Sequence, residues 1–418
     1  MILSADWVVP VDREPIRDGA VVVEDGRIAA VGPAAELGWG ERHEGCAILP
    51  GFVNAHSHLE YAVYAGFGDG LPFRPWLKTH VERKDRLDVE EMADVARLGA
   101  LECLASGITT VGDCSYSGGA ATACAELGLR AIVYLEVFGV GTREQRFDVL
   151  RERVGELPDR VRIGVSPHAP YTCDLELYRA CGELGLPVAT HFRESEVEHP
   201  LPQLRPTSIA ELAEASLLGS NVVAAHCVHV TPDEIDLLAA FDVAVAHCPR
   251  SNAMLGCGIA PLAELRAAGL RVGLGTDSPA SAPSFDMFDE LRVAVFAARA
   301  RERRPEALTA EDALRLATLG AAETLGLGDE VGSLTPGKWA DLTIVDLADS
   351  AYHPWEDPVG AVVLGGSPER VVETLVAGER RYEKGEVEWH ELRRRAASAR
   401  SRMLGPQPPQ LRRSASAV

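Results

Sequence analysis

Eight short apolar runs, rich in Val, Ile and Ala and mostly separated by amphipathic segments of helix length, constrain this 418-residue chain more than any other feature. They occupy residues 47–53, 108–111, 131–136, 161–165, 187–190, 222–225, 243–246 and 271–275. Strands that are apolar throughout must be covered on both faces, as in a parallel sheet whose connections are helices. Eight such units in roughly 280 residues predict an α/β fold, a TIM-like (β/α)8 barrel. A doubly wound sheet is the competing topology.

The flanks have another rhythm. Residues 20–24 and 27–32 are apolar runs joined by Asp25-Gly26, a hairpin signal. Far downstream, Gly332-Ser-Leu-Thr-Pro-Gly-Lys-Trp-Ala-Asp-Leu-Thr-Ile-Val-Asp and residues 361–364 and 370–376 are again strand-like. Two short β-rich pieces bury their apolar faces best by packing together, which predicts a small β-sandwich built from both chain ends. The expected order is therefore 1–49 (sandwich, first part), 50–330 (barrel), 331–385 (sandwich, second part) and 386–418 (a C-terminal helix and a disordered tail).

Charge and cysteine content exclude several partners and settings. Sixty-two acidic against 41 basic residues leave a net charge of −21, a surface that repels phosphate backbones and anionic lipid, so neither nucleic acid nor membrane is an expected partner. No stretch reaches the ~18 apolar residues that cross a bilayer. Asp6, Asp12, Glu14 and Asp18 stand where a signal peptide would carry a basic and then an apolar region. The nine cysteines contain no C-x-x-C pair and several lie in apolar runs, which predicts reduced, buried thiols and a cytoplasmic protein. A homodimer is the expectation from the frequency of such assemblies.

The residues just past each run carry the chemistry. Along the chain they are His56 and His58, Asp113, His168, His191, His226, His247 and Asp277, so six of the twelve histidines stand at expected strand ends. Those ends face the active-site crevice in parallel α/β folds, and packing alone does not explain so many imidazoles there. His56 and His58, at i and i+2 of an extended segment, point to the same side and can meet one ion. His191 adds a third nitrogen and Asp277 a carboxylate. Zinc accepts that mixture with a position left for water, and Fe(II) or Mn(II) could use the same ligands. Water on such an ion ionises near neutral pH. Glu194, three residues after His191, is placed to donate a proton to a substrate ring and carry it to a leaving amine. His226 can polarise the water or a developing oxyanion, and Asp277 can accept the water proton. His168 is expected to face substrate, His229 to be structural, and His247 to orient a loop or contact ligand. In the long connection 59–87, Tyr61, Tyr64, Phe67, Phe73 and Trp76 either wall a pocket for a planar ligand or form a satellite apolar cluster.

These segments together resemble the amidohydrolase superfamily. Leu49-Pro-Gly-Phe-Val-Asn-Ala-His-Ser-His resembles its opening signature, and Ser166-Pro-His-Ala-Pro-Tyr-Thr, Ala225-His-Cys-Val-His, His247-Cys-Pro-Arg-Ser-Asn and Gly275-Thr-Asp-Ser resemble its later motifs. The similarity runs from about residue 1 to 385 and is greatest to the chlorohydrolase-like deaminases, which include S-adenosylhomocysteine/methylthioadenosine and aminodeoxyfutalosine deaminases. The resemblance implies one divalent metal per chain on His56, His58, His191 and Asp277, with zinc expected. It implies Glu194 as proton shuttle, His226 beside the attacking water and His168 as a substrate contact. Members with two metals place a carboxylated lysine at the end of strand four; Ser166-Pro-His168 stands there, which favours one metal.

One departure bears on substrate. Methylthioadenosine deaminases carry Trp-Leu-x-x-x-Ile-x-Pro-x-Glu, its glutamate on the ribose, whereas this chain reads Trp76-Leu-Lys-Thr-His-Val-Glu-Arg-Lys-Asp85, with Glu82 or Asp85 as substitutes. The expected activity is hydrolytic deamination of an aminated purine-type ring in an adenosine derivative: S-adenosylhomocysteine, methylthioadenosine or aminodeoxyfutalosine. The alternative is hydrolysis of a cyclic amide or of a halogenated or aminated heterocycle of the imidazolone, pterin or triazine type. Nucleobase deaminases that hold zinc through Pro-Cys-x-x-Cys are excluded, since that element is missing.

Overall fold

Gly51 marks where the chain leaves one sheet for another. The structure, a computed structural model, describes residues 1–139, 144–198, 200, 204–348, 350, 356–386 and 389–405. Strands β1 (Ile2–Val8), β2 (Ile16–Glu24), β3 (Arg27–Pro33) and β4 (Glu41–Pro50) precede β5 (Phe52–Ser57). The run 47–53, expected as one strand, is thus the end of β4 and the start of β5. A Cβ on Gly51 would lie 2.1 Å from the Thr109 methyl, so only glycine lets the chain turn there.

The barrel comes next. β5 is joined by β6 (Ile108–Ser115), β7 (Arg130–Val137), β8 (Val161–Pro167), β9 (Val188–Phe192), β10 (Val222–His226), β11 (Ala244–His247) and β12 (Val272–Leu274). These eight strands pair in chain order and all in parallel, the topology that the apolar runs predict. First and last strands meet through the Ser57–Asp277 bridge, where the Asp277 N–H donates to the His56 carbonyl at 3.0 Å. Small interior side chains (Ala55, Ala189, Ala225, Ala246) leave room, and the helix Leu319–Thr324 fills the far end with Ala321 and Ala322. Asp88 with Glu91, Ser208 with Glu211, and Thr231 with Glu234 form capping boxes, so several of the covering helices begin where their sequences satisfy the first free N–H groups.

The chain ends build one seven-stranded mixed sheet. β13 (Leu342–Asp346), β14 (Val371–Val376) and β15 (Glu379–Glu383) extend the first four strands in the order β15-β14-β13-β4-β1-β2-β3. This is one sheet where the sequence predicts a two-layered sandwich; the Ile28 N–H on its β3 edge donates to the Lys338 carbonyl at 2.9 Å, and Leu3, Ile28, Ile48, Leu342 and Leu375 share one apolar cluster. Asp25 and Gly26 form the expected hairpin turn, both at positive φ (48° and 75°). Residues 361–364 are not a strand. They lie in the helix Pro358–Gly365, started by Asp357, whose carboxylate accepts from Gly360 N–H, with Pro358 in the first turn. The expected C-terminal helix is His390–Leu404; the expected disordered tail falls at residues 406–418, outside the described residues.

All nine cysteines are buried and none is in a disulfide. Among the described residues no helix is long and apolar enough to cross a membrane. The two sheets are tied by a buried bidentate pair, Arg130 at the start of β7 with Asp341 beside β13, at 2.8 and 3.1 Å. Their side chains are 5 % and 1 % exposed, so removing one partner strands a charge away from water. Arg130→Met should lower stability by about 3–5 kcal/mol, read from the urea midpoint at fixed metal content; a loss below ~1 kcal/mol would show the pair to be dispensable.

Candidate active site

The last residues of the barrel strands and the turns directly after them bring His56, His58, His191 and Asp277 together at the carboxyl end of the barrel. His58 Nε2 lies 3.2 Å from His191 Nε2, and Asp277 Oδ1 lies 3.6 Å from His56 Nε2 and 3.5 Å from His58 Nε2. Ligands at about 2.1 Å from a tetrahedral zinc are about 3.4 Å from one another, so these spacings fit such an ion. The surroundings aim the lone pairs inward. His58 Nδ1 donates to the Cys114 carbonyl at 2.9 Å and His191 Nδ1 to the His168 carbonyl at 2.8 Å, which leaves each Nε2 as an acceptor. His56 Nε2 is buried with no hydrogen-bond partner, an orphan that a cation would satisfy. Asp277 Oδ2 accepts from Ser251 Oγ at 2.7 Å and Ser281 Oγ at 2.5 Å, turning Oδ1 to the imidazoles.

Protonation states agree with that use. Burial, reinforced by His56, pushes His58 down to about 3, and burial likewise holds His56 and His191 below the ordinary imidazole value, so all three are neutral. Burial pushes Asp277 up, but the neighbouring His56, His226 and His58 outweigh it and keep the carboxyl well below its usual range. The opposite holds for Glu194. Burial pushes it up to about 7, against the pull of His226, so it can hold or release a proton near neutral pH.

Backbone strain concentrates here too. Arg193, His226, Cys227 and Asp277 all adopt positive φ, between 50° and 72°. Such conformations cost non-glycine residues about 1–3 kcal/mol each and gather at functional sites. They aim Glu194 and His226 at the same space: His226 Nδ1 donates to Asn252 Oδ1 at 3.0 Å, and its Nε2 faces Glu194 Oε1 at 3.9 Å.

A cavity of about 460 Å³ opens above, in the range of small-molecule sites. His58, His191, Glu194, His226 and Asp277 line its floor. His168, fixed by Thr172 Oγ1 at 2.8 Å, contributes a wall. His247 is buried but not among the lining residues, and His229 is tied to the Cys257 carbonyl at 2.7 Å. Asp113 turns away: its Oδ2 accepts from Ser57 Oγ at 3.0 Å and Leu59 N–H at 2.7 Å, holding the chain beyond His58. The aromatic connection does both things expected of it. Tyr61, Phe73 and Trp76 wall the cavity, and they share one apolar cluster with Tyr64 and Phe67, which do not line it.

Sequence reasoning missed the upper end of the cavity. Lys84, Glu136 and Arg146 line it with Tyr116 and Phe138, the Lys84 ammonium 3.5 Å from the Tyr116 ring centre. Burial pushes Lys84 down and Glu136 up, each partly restrained by the other's charge. The signals were present. Glu136 ends the third apolar run, and Phe73, Leu77, His80 and Lys84 share one face of the helix Phe73–Lys84. Of the two substitutes for the missing glutamate, Asp85 lines the cavity, whereas Glu82 is 61 % exposed and paired with Lys78 at 3.7 Å.

Known proteins share both the sequence pattern and the geometry. Residues 47–381 match the Amidohydrolase family, and residues 19–38 match a short imidazolonepropionase-like composite domain. The chain is 35 % identical over 407 residues to a 5-methylthioadenosine/S-adenosylhomocysteine deaminase of Symbiobacterium thermophilum, covering 92 % of this chain and 93 % of that one. It is 34 % identical to a 5'-deoxyadenosine deaminase of Methanothermobacter thermautotrophicus, covering 90 % and 92 %. The crystal structure of an adenosine deaminase from Xanthomonas campestris with bound zinc superposes with a TM-score of 0.88 at 30 % identity, covering 96 % of this chain and 98 % of that one.

Proposed function

The chain belongs to the amidohydrolase family, and we propose that within it this protein is a zinc-dependent deaminase of a 5'-substituted adenosine, releasing ammonia. The observation that carries the reading is the pairing of Glu194 and His226 beside the His56–His58–His191–Asp277 cluster on the floor of an aromatic-walled cavity. A divalent cation held by those four side chains would supply an ionised water at neutral pH.

The rest is done by the protein. Ser251 and Ser281 engage Asp277 Oδ2 and so turn the carboxylate to the imidazole cluster, where it stands beside the attacking water and can take the proton that the water sheds. Glu194, protonated for part of the time at neutral pH, donates to the ring nitrogen next to the carbon under attack. As the exocyclic C–N bond breaks, the proton held by Asp277 passes to the amine and ammonia leaves, while the hydroxyl proton of the adduct returns to Glu194 and a carbonyl stands in the amine's place. His226, whose Nδ1 proton is given to Asn252 Oδ1, keeps an unpartnered Nε2 that can accept a hydrogen bond from the attacking water and orient it. His168, Tyr61 and Trp76 flank the ring. Asp85 stands where the resembling motif has its ribose-contacting glutamate. The two cations Lys84 and Arg146, set beside the carboxylate of Glu136, suit a polar 5' substituent better than the bare methylthio group. With nine buried cysteines and none in a disulfide, we place the protein in the cytoplasm.

Ammonia release decides the matter. Zinc-loaded protein is offered S-adenosylhomocysteine, methylthioadenosine, 5'-deoxyadenosine, aminodeoxyfutalosine, adenosine, guanine, 8-oxoguanine, a pterin and a triazine. The expected result is turnover of adenosine derivatives, with the polar-tailed ones ahead. Release from none of them would overturn the proposal, and turnover of only the triazine or pterin would move the protein to the alternative chemistry.

A further inference from the structure

The cavity has a cover with two sides. Residues 59–87 turn Tyr61, Phe73, Trp76, Leu77, His80 and Lys84 inward. On its other side Val63, Tyr64 and Phe67 pack with Ala396, Ala399 and Met403 of the C-terminal helix His390–Leu404. On the barrel side the cover is held by Trp76 Nε1, which donates to the Ala280 carbonyl at 3.2 Å, and at its first turn by Glu60, which accepts from Ser115, Ser117 and the Gly119 N–H. Outside, Arg400 of the helix holds the stretch around Val63 and Ala65. The Arg400 guanidinium donates to the Val63 carbonyl and, at 3.1 Å, to the Ala65 carbonyl, and it lies 4.0 Å from the Phe67 ring centre. Arg86 returns the contact to the Met403 carbonyl at 2.9 Å, and Arg402 pairs with Glu91 at 3.1 Å.

Val63 and Ala65 lie between the short 3-10 turn Leu59–Tyr61 and the helix Phe73–Lys84, a stretch with no sheet partner. Side-chain bonds to its carbonyls therefore do what a β-ladder does elsewhere. The floor of the site is built differently: His56, His58, His191 and His226 come from barrel strands or their ends, and none contacts the C-terminal helix through a hydrogen bond or ion pair.

We propose that Arg400 is a positioning residue for the substrate pocket: by anchoring the Val63 and Ala65 carbonyls to the C-terminal helix it sets the height of the aromatic cover above the metal-facing floor, and so governs substrate affinity rather than the chemical step. Contacts to the cover are made in the ground state and kept through the reaction, so losing them raises KM and spares kcat. The inference uses the nucleoside reading above only for its assay substrate.

The test uses the full-length, zinc-loaded protein. Arg400→Ala is expected to raise KM for S-adenosylhomocysteine by about tenfold with kcat held within about twofold. Amide exchange should quicken across residues 59–87 and stay unchanged in β5–β12. Arg400→Lys keeps the charge and the aliphatic stem but offers one donor group for two carbonyls; it should fall between wild type and Ala, and it decides the question alone if the Ala variant does not fold. An unchanged KM in both variants, or a drop in kcat at constant KM, would overturn the proposal. If wild-type protein turns over no nucleoside, the functional reading fails by itself. Amide exchange over 59–87 then decides the anchoring, with unaltered exchange in Arg400→Ala counting against it.

Discussion

Glu194→Gln keeps its metal and loses about 10²–10⁴-fold of its turnover. The amide has nearly the shape of the carboxyl, so the cavity and the imidazole cluster stay as they are, and elemental analysis should return wild-type zinc. What disappears is a group that can give up a proton and take it back. Burial pushes the Glu194 carboxyl up to about 7, and its Oε1 stands 3.9 Å from His226 Nε2. A glutamine can still donate a hydrogen bond to the ring nitrogen, so KM should change little while kcat collapses. Turnover within about threefold of wild type would remove Glu194 from proton transfer.

His191→Ala acts one step earlier. It removes the nitrogen that lies 3.2 Å from His58 Nε2 and leaves a gap in the cluster. Losing even an outer-shell partner of a metal ligand costs about 10–100-fold in affinity, and losing the ligand should cost more. After dialysis the variant should hold less than about a tenth of an equivalent of zinc, with turnover reduced about 10³-fold or more. Unchanged stoichiometry would show that His191 is not a ligand. The variants separate two functions that share one floor: Gln at 194 gives a loaded, idle protein, and Ala at 191 an empty one.

Much of this is legible in the sequence. The eight runs suffice for the barrel because a parallel strand covered on both faces has no polar position to spare, and the residue after each run marks the functional rim. That logic brings out His56, His58, His191, His226 and Asp277, which do converge. It fails where the same residue types serve structure. Asp113 ends a run as Asp277 does, yet its carboxylate is spent on Ser57 and the Leu59 N–H. Residues 361–364 are apolar and β-branched, as a strand would be, but Asp357 and Pro358 start a helix that is buried almost all round. Lys84 escapes notice because the segment carrying it reads as a loop; only when 73–84 is helical do Phe73, Leu77, His80 and Lys84 line up on one face. Glu60, buried and accepting from Ser115, Ser117 and the Gly119 N–H, gives no sign in the sequence of tying the cover's first turn to the loop after β6.

The switch of sheets at Gly51 has a consequence for how the protein is made. β4 emerges from the ribosome early and pairs with β1, but its other edge belongs to β13, which begins at residue 342. While the whole barrel is being synthesised, that edge offers unpaired backbone groups to any passing strand. The N-terminal strands thus wait for the last part of the message, and any nonsense truncation before residue 342 leaves behind a sticky, half-finished sheet whether or not the barrel has closed.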